Sequence, residues 1–168
     1  MAAERRAVNC RPSVPRRAGA AGEQPAIEQV VCDAVVAAMR ASLRDGGRAR
    51  ETTARLDSVL RTGPVEFYFG DGAVDHAAIA LARLLEAPGD RAGALAALRR
   101  RPYSIGCQPF LAASLRDEGC LAAALGDVRG AVRAYEHYLA LRSNPEPALV
   151  GAPASVRAEL ARLRAMVR

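Results

Sequence analysis

Lysine and tryptophan are both missing from this 168-residue chain, and three Phe and four Tyr are its only aromatic side chains. All 24 basic residues are therefore arginine. Abundant arginine and alanine together read as the codon usage of a GC-rich genome rather than as a special arginine chemistry. Without lysine there is no P-loop, and no kinase lysine to hold nucleotide phosphates. No GxSxG elbow and no HExxH pair occurs either, so neither an α/β-hydrolase nor a zinc protease is indicated. The four cysteines, Cys10, Cys32, Cys107 and Cys120, form no CxxC pair, and His76 and His137 lie at no zinc-finger spacing. Cys32 and Cys120 fall within helical patterns, where a free thiol behaves as a small apolar residue. The expectation is a chain without metal, cofactor or disulfide, and without a catalytic role for either histidine.

Long apolar runs are lacking as well. The most apolar stretch, residues 30–39, is broken by Asp33 and is far too short to cross a bilayer. The N-terminus is basic but has no apolar segment of the signal-peptide kind. A cytoplasmic bacterial protein that does not engage a membrane is the expectation.

What the chain has is alanine and leucine. Apolar residues make up 51% of it. Alanine has the best helix propensity, while strands favour β-branched and aromatic residues. The composition therefore predicts closely packed helices, in a length that suits one domain. The net charge is +6, and half of it comes from residues 1–25, with five arginines against two glutamates. That segment also holds Pro12, Pro15, Pro25, Gly19 and Gly22, and reads as a disordered basic tail. Such a charge can attract nucleic acid, but in the body of the chain arginines and acids alternate as on a solvated surface. Nucleic acid is not the expected partner.

From Ala26 the pattern becomes helical. Ile27, Val31, Ala34, Val35 and Ala38 mark one face at three- and four-residue steps, and Asp45-Gly46-Gly47 is expected to end that helix. A second helix over 48–61 carries Thr53, Leu56 and Leu60, and Gly63-Pro64 stops it. Val65 to Phe69 is the one strand-like run; with no partner strand it reads as an aromatic loop. Gly70-Asp71-Gly72 reads as a turn, without the ligand spacing of a calcium loop. Further helices are expected over 75–86, capped by Asp75, with Ile79, Ala82 and Leu85 inward; over 91–100, with Ala94, Leu95 and Leu98 inward; and over 110–125, with Leu111, Leu115, Ala122 and Leu125 inward. Two more are expected over 128–142, burying Val128, Ala131, Val132, Tyr135, Tyr138 and Leu139, and over 153–167, with a Val156, Leu160, Leu163, Val167 stripe.

Two of these stretches repeat each other. Gly89-Asp90-Arg91-Ala92-Gly93-Ala94 aligns with Gly126-Asp127-Val128-Arg129-Gly130-Ala131 at an offset of 37 residues, and Ala97 aligns with Ala134. Each copy is a helix, a Gly-Asp turn and a second helix. A period of this size marks a helical solenoid whose hairpins bury their faces against their neighbours. Glycine suits the left-handed close of one helix, and aspartate caps the next. Ala94 and Ala131 are then placed where helices cross closely.

In these residues the chain resembles the tetratricopeptide repeat. The family's small residue seven positions before the turn matches Ala82 and Gly119. Its small residue in the second helix matches Ala94 and Ala131, and its aromatic position matches Leu98 and Tyr135. The family's Trp position holds Ala78 and Leu115, its first-helix Tyr position Leu85 and Ala122, its late small residue Arg101 and Tyr138, and the spacing exceeds the usual length of about 34 residues. The resemblance implies an all-α, right-handed solenoid of α-α hairpins: a degenerate hairpin over 26–63, two repeats over 75–142 and a C-terminal capping helix over 153–167. The C-terminal half also resembles the helical-repeat tails of bacterial serine/threonine kinases and transcriptional regulators, through Leu84-Leu85-Glu86-Ala87, Leu98 to Tyr103, and Ala134 to Arg142. That likeness implies a second role, a detached regulatory tail in such a system.

What the family resemblance implies for function is a scaffold binding a protein or peptide in a groove lined by the first helix of each hairpin. The matching positions are His76, Ile79, Arg83 and Glu86, then Ala113, Arg116, Cys120 and Ala123. Arg83 and Arg116 would present cations to an acidic partner. Arg99-Arg100-Arg101, at the end of a short helix, reads as a favourable contact with the helix dipole and its open carbonyls rather than as a phosphate site. Two readable repeats fall short of the roughly three that a stack needs, which leaves self-association as one way to complete it.

Overall fold

The computed structural model describes residues 27–44, 46–62, 72–100, 110–144 and 151–167. The expected basic tail, the aromatic segment 65–69, Asp71, the loop 101–109 and the break at 145–150 lie outside the described residues, as do Cys10 and Cys107. Among the described residues, all regular structure is α-helix. The elements are α1 (Ile27–Arg44), α2 (Gly46–Thr62), α3 (Gly72–Glu86), α4 (Arg91–Arg99), α5 (Leu111–Ala124), α6 (Val128–Leu141) and α7 (Gly151–Val167).

Each helix packs on its neighbours along the chain, and α1 also reaches α3. The shared core is aliphatic and small. It runs from Val31, Ala34, Val35 and Ala38 of α1 through Leu56 of α2, Ala77 and Leu81 of α3, and Ala94 and Leu98 of α4 to Leu115 and Ala122 of α5, Ala131 and Tyr135 of α6, and Val156, Leu160 and Leu163 of α7. Ala94 and Ala131 are both fully buried. Methyl-sized side chains let helix axes approach closely, so a core this poor in aromatics can still exclude water.

The two Gly-Asp turns are built alike. At the end of α3 the Gly89 N–H donates to Glu86 O at 2.8 Å and the Asp90 N–H to Leu85 O at 2.9 Å; after α5 the Gly126 N–H donates to Ala123 O at 3.1 Å and the Asp127 N–H to Ala122 O at 2.9 Å. This is the Schellman pattern, which satisfies the last open carbonyls of a helix and needs a left-handed residue. Gly89 has φ 99° and Gly126 φ 78°, the only positive-φ residues among those described. The aspartates then cap α4 and α6, accepting from Gly93 N at 2.8 Å and Gly130 N at 2.9 Å. Alanine at residue 89 or 126 is expected to cost about 1–2 kcal/mol each, the steric penalty of a Cβ in the left-handed region. Urea unfolding of the two single variants and their double measures it.

Several boundaries differ from the sequence expectation. Gly46 and Gly47 open α2 instead of closing α1. The third helix starts at Gly72, so Asp75 lies inside it and does not cap it. The last helix starts at Gly151, which puts the buried Pro153 in its first turn, where a missing N–H costs no intrahelical bond. Leu125 follows the last turn of α5 and is 45% exposed, not inward. Val128, Val132 and Leu139 are only half-buried, while Ala134 is buried.

Two adjacent arginines, in the last turn and at the C-cap of α4 as expected, also clip the hairpins together. Arg99 reaches forward, its Nε 3.2 Å from Glu118 Oε1 on α5 and its Nη2 2.6 Å from Asp127 Oδ2. Arg100 reaches back, its Nη2 2.5 Å from Asp57 Oδ1 on α2, where Arg61 also binds the same carboxylate. Its Nε keeps one long contact to a carbonyl of its own helix, Ala96 O at 3.4 Å. Arg101 is outside the described residues. Thirty-seven residues after Arg99, Glu136 makes the corresponding reach with reversed sign, to Arg164 of α7 at 2.7 Å.

These contacts act on ionisation. The hydrogen bonds from Arg99 and then from the Gly130 N–H hold the Asp127 carboxyl below its ordinary 3.8. Partial burial opposes ionisation of Asp57, but the hydrogen bonds from Arg61 and Arg100 outweigh it, and that carboxyl too lies below 3.8. Both groups therefore contribute stability that is present above the ordinary value and is lost as the pH falls through the lower folded values. The urea midpoint is expected to drop between about pH 5 and about pH 2, with a shallower drop in Arg99→Met/Arg100→Met.

Candidate functional site

The residues singled out as a groove sit on α3 and α5, but they do not form one uniform surface. Ile79 is 5% exposed and belongs to the core; its side chain packs between helices and is not available to a ligand. His76 is half-buried, with its ring tilted on Phe110 at a centroid distance of 5.4 Å. Burial, and then the nearby Arg83 charge, hold its pKa below the ordinary 6.5, so the ring is neutral at neutral pH. Glu86 is exposed at the end of α3, and Ala113 and Ala123 are half-buried on α5.

The two arginines converge. Arg83 Nη2 lies 3.6 Å from Asp117 Oδ2, and Arg116 places Nε at 3.2 Å and Nη2 at 3.0 Å from Asp117 Oδ1. One carboxylate thus serves two guanidinium groups from neighbouring hairpins. Both remain open to water, the Arg83 side chain at 65% and that of Arg116 at 43% of full exposure. Each guanidinium has five N–H donors, so most of their donors stay free for a second acceptor.

Cys120 is an exposed free thiol one turn further along α5. Its Sγ accepts a hydrogen bond from the Tyr135 hydroxyl at 3.3 Å. Burial, and then this hydrogen bond, push the phenol's pKa above its ordinary value, so Tyr135 stays a neutral donor.

Beside these residues a cleft of about 460 Å³ opens between α5, α6 and α7. Arg116, Cys120, Ala123 and Ala124 form its α5 wall, Tyr135 its floor, and Ser155, Val156, Glu159 and Arg162 its α7 wall. Sequence reasoning assigned α7 only a capping role and missed this wall. The available signal was the 155, 159, 162 stripe, spaced four and three apart and running beside the buried 156, 160, 163 stripe. A second cleft of about 300 Å³ lies on the α2 and α4 side, where Asp57, Arg61, Asp90 and Arg100 meet; its charges are largely committed to the clip described above.

Set against known proteins, the chain matches no family model, no curated protein and no solved structure. Its function therefore rests on its own residues. Among those described, no helix is long and apolar enough to cross a membrane, and no group of three or more His, Cys, Asp or Glu side chains is placed to hold a metal ion.

Proposed function

We propose that the chain is a non-catalytic interaction module of the tetratricopeptide kind, a right-handed stack of helical hairpins that binds an acidic, extended segment of a protein partner across α3 and α5. The proposed compartment is a bacterial cytoplasm, where thiols such as Cys32 and Cys120 stay reduced. The observation that carries the reading is the convergence of Arg83 and Arg116 on the single carboxylate of Asp117. Two guanidinium groups that share one carboxylate between α3 and α5 attract further carboxylates and orient them through paired N–H donors. The repeated Gly-Asp turns support the stack: they give both hairpins the same closing geometry, which is what side-by-side packing of like units needs.

The test is capture of partners by the immobilised full chain from a lysate of its host, with mass spectrometry, repeated with Arg83→Ala/Arg116→Ala. The captured protein is expected to carry an acidic segment, to bind more weakly as salt rises, and to be retained at least about tenfold less by the double variant, the effect of losing one charge-assisted contact of roughly 1.4 kcal/mol. Equal retention by the variant would falsify the reading.

A further inference from the structure

The cleft between α5, α6 and α7 has an interior and a rim of different chemistry. Its lining is mostly apolar and includes Ala123, Ala124 and the nearly covered Tyr135 and Val156. On the α7 rim, Arg162 directs both Nε, at 2.9 Å, and Nη2, at 2.6 Å, to Glu159, which makes a neutral pair. On the α5 rim stands Arg116, paired with Asp117 at 3.0 and 3.2 Å, and with Arg83 3.6 Å from the same carboxylate the trio keeps one net positive charge. An apolar recess with a cation on one edge is complementary to an apolar side chain next to a carboxylate. The volume of about 460 Å³ lies within the range of clefts that hold a ligand.

The cleft is also continuous with the α3 and α5 surface, because Arg116 and Cys120 belong to both. An extended chain lying along Arg83 and Arg116 therefore runs directly onto it. We propose that this cleft is a side-chain subsite for the acidic segment: it takes an apolar residue of the partner, while the adjoining acidic residue meets Arg116. This rests on the binding role proposed above and adds to it that α7 is part of the binding surface as well as the end of the core. Stacking of nucleotides does not fit the recess, since Tyr135, its one aromatic, is buried to 2% exposure. A protein segment is the occupant.

The test is selection of random dodecapeptides displayed on phage against the immobilised full chain, compared with two cleft-filling variants and one groove variant. Ala123→Trp fills the recess from α5, and Ser155→Trp fills it from the exposed side of α7, so a folding defect in one leaves the other as a probe; thermal unfolding followed by circular dichroism checks both. The enriched peptides are expected to place an acidic residue next to a large apolar one. Their recovery is expected to fall about tenfold or more on each folded filled variant, as the loss of one buried apolar side chain implies, and also on Arg83→Ala. Recovery that falls on Arg83→Ala but survives both filled variants overturns the subsite and leaves the α3 and α5 groove standing. Enrichment of peptides without acidic residues, or no enrichment at all, overturns both.

Discussion

Gly119→Ala is expected to destabilise the protein by about 1–3 kcal/mol, even though alanine is the better helix former by about 1 kcal/mol. A Cβ built on Gly119 lands on the Tyr135 ring, in contact with its Cε1 and Cδ1. That ring is 2% exposed and held in the core between α5 and α6. It cannot swing into solvent as the end of a flexible side chain can, so the helices must part or the ring must leave its rotamer. The repeat suggests its own rescue. One period earlier, the positions of Gly119 and Tyr135 hold Ala82 and Leu98, both buried, at 3% and 0% exposure. A smaller partner on one helix goes with a larger one on the other: alanine with leucine, glycine with tyrosine. Gly119→Ala/Tyr135→Leu copies the earlier pair and is expected to recover most of the stability lost by the single substitution. Urea unfolding of the four members of the cycle measures this. A single variant as stable as the parent would sink the close packing of α5 on α6.

Arg99→Met is expected to cost a similar amount, about 1.5–3 kcal/mol, the range for hydrogen bonds to charged groups. The methionine keeps much of the aliphatic stem and removes the guanidinium. Glu118 is 7% exposed and loses a charged partner on α4, while Asp127 loses the contact that joins its cap to the preceding hairpin. The arginine side chain is itself 37% exposed, so solvent screening keeps the cost below that of breaking a fully buried pair. Adding Glu118→Gln removes the buried charge and is expected to return part of the loss. Thermal unfolding at low and high salt checks the assignment, because the gap between Arg99→Met and the parent should narrow as salt screens the exposed half of the pair. An unchanged gap would place the loss in the covered contact to Glu118 and not in the exposed one to Asp127.

The candidate site was only partly legible in the sequence. The 37-residue register of the two Gly-Asp turns pairs Arg83 with Cys120 and Ile79 with Arg116, so it placed both arginines on successive first helices without aligning them with each other. Asp117, which joins them, stands beside Arg116 in sequence, yet its link to Arg83 depends on the distance between α3 and α5, and no periodicity states that distance. Ile79, read both as inward and as a groove residue, is inward, because α3 buries more than a narrow stripe: Ala77, Ile79, Ala80, Leu81 and Ala82 are all below one-tenth exposed. A helix packed on three neighbours loses the simple inside and outside that a hydrophobic pattern presumes. Glu118 was missed for a related reason. It stands one period after Leu81, a core position, and the register alone would have marked it as a charge needing a partner.

By itself the sequence determined the helical character of the chain, through its alanine and leucine, and the two turns, through glycine and aspartate at an interval of 37 residues. These are local matters of backbone sterics and hydrogen bonding within a few residues. Which charges meet was decided by tertiary structure alone. Arg99 and Arg100 are adjacent in the chain, yet one binds forward to α5 and the α6 cap and the other back to α2, because successive residues on a helix point about 100° apart. The cleft bounded by Arg116, Tyr135 and Arg162 likewise exists only once α7 lies against α6, since empty space between helices is a property of their packing and of no segment taken singly.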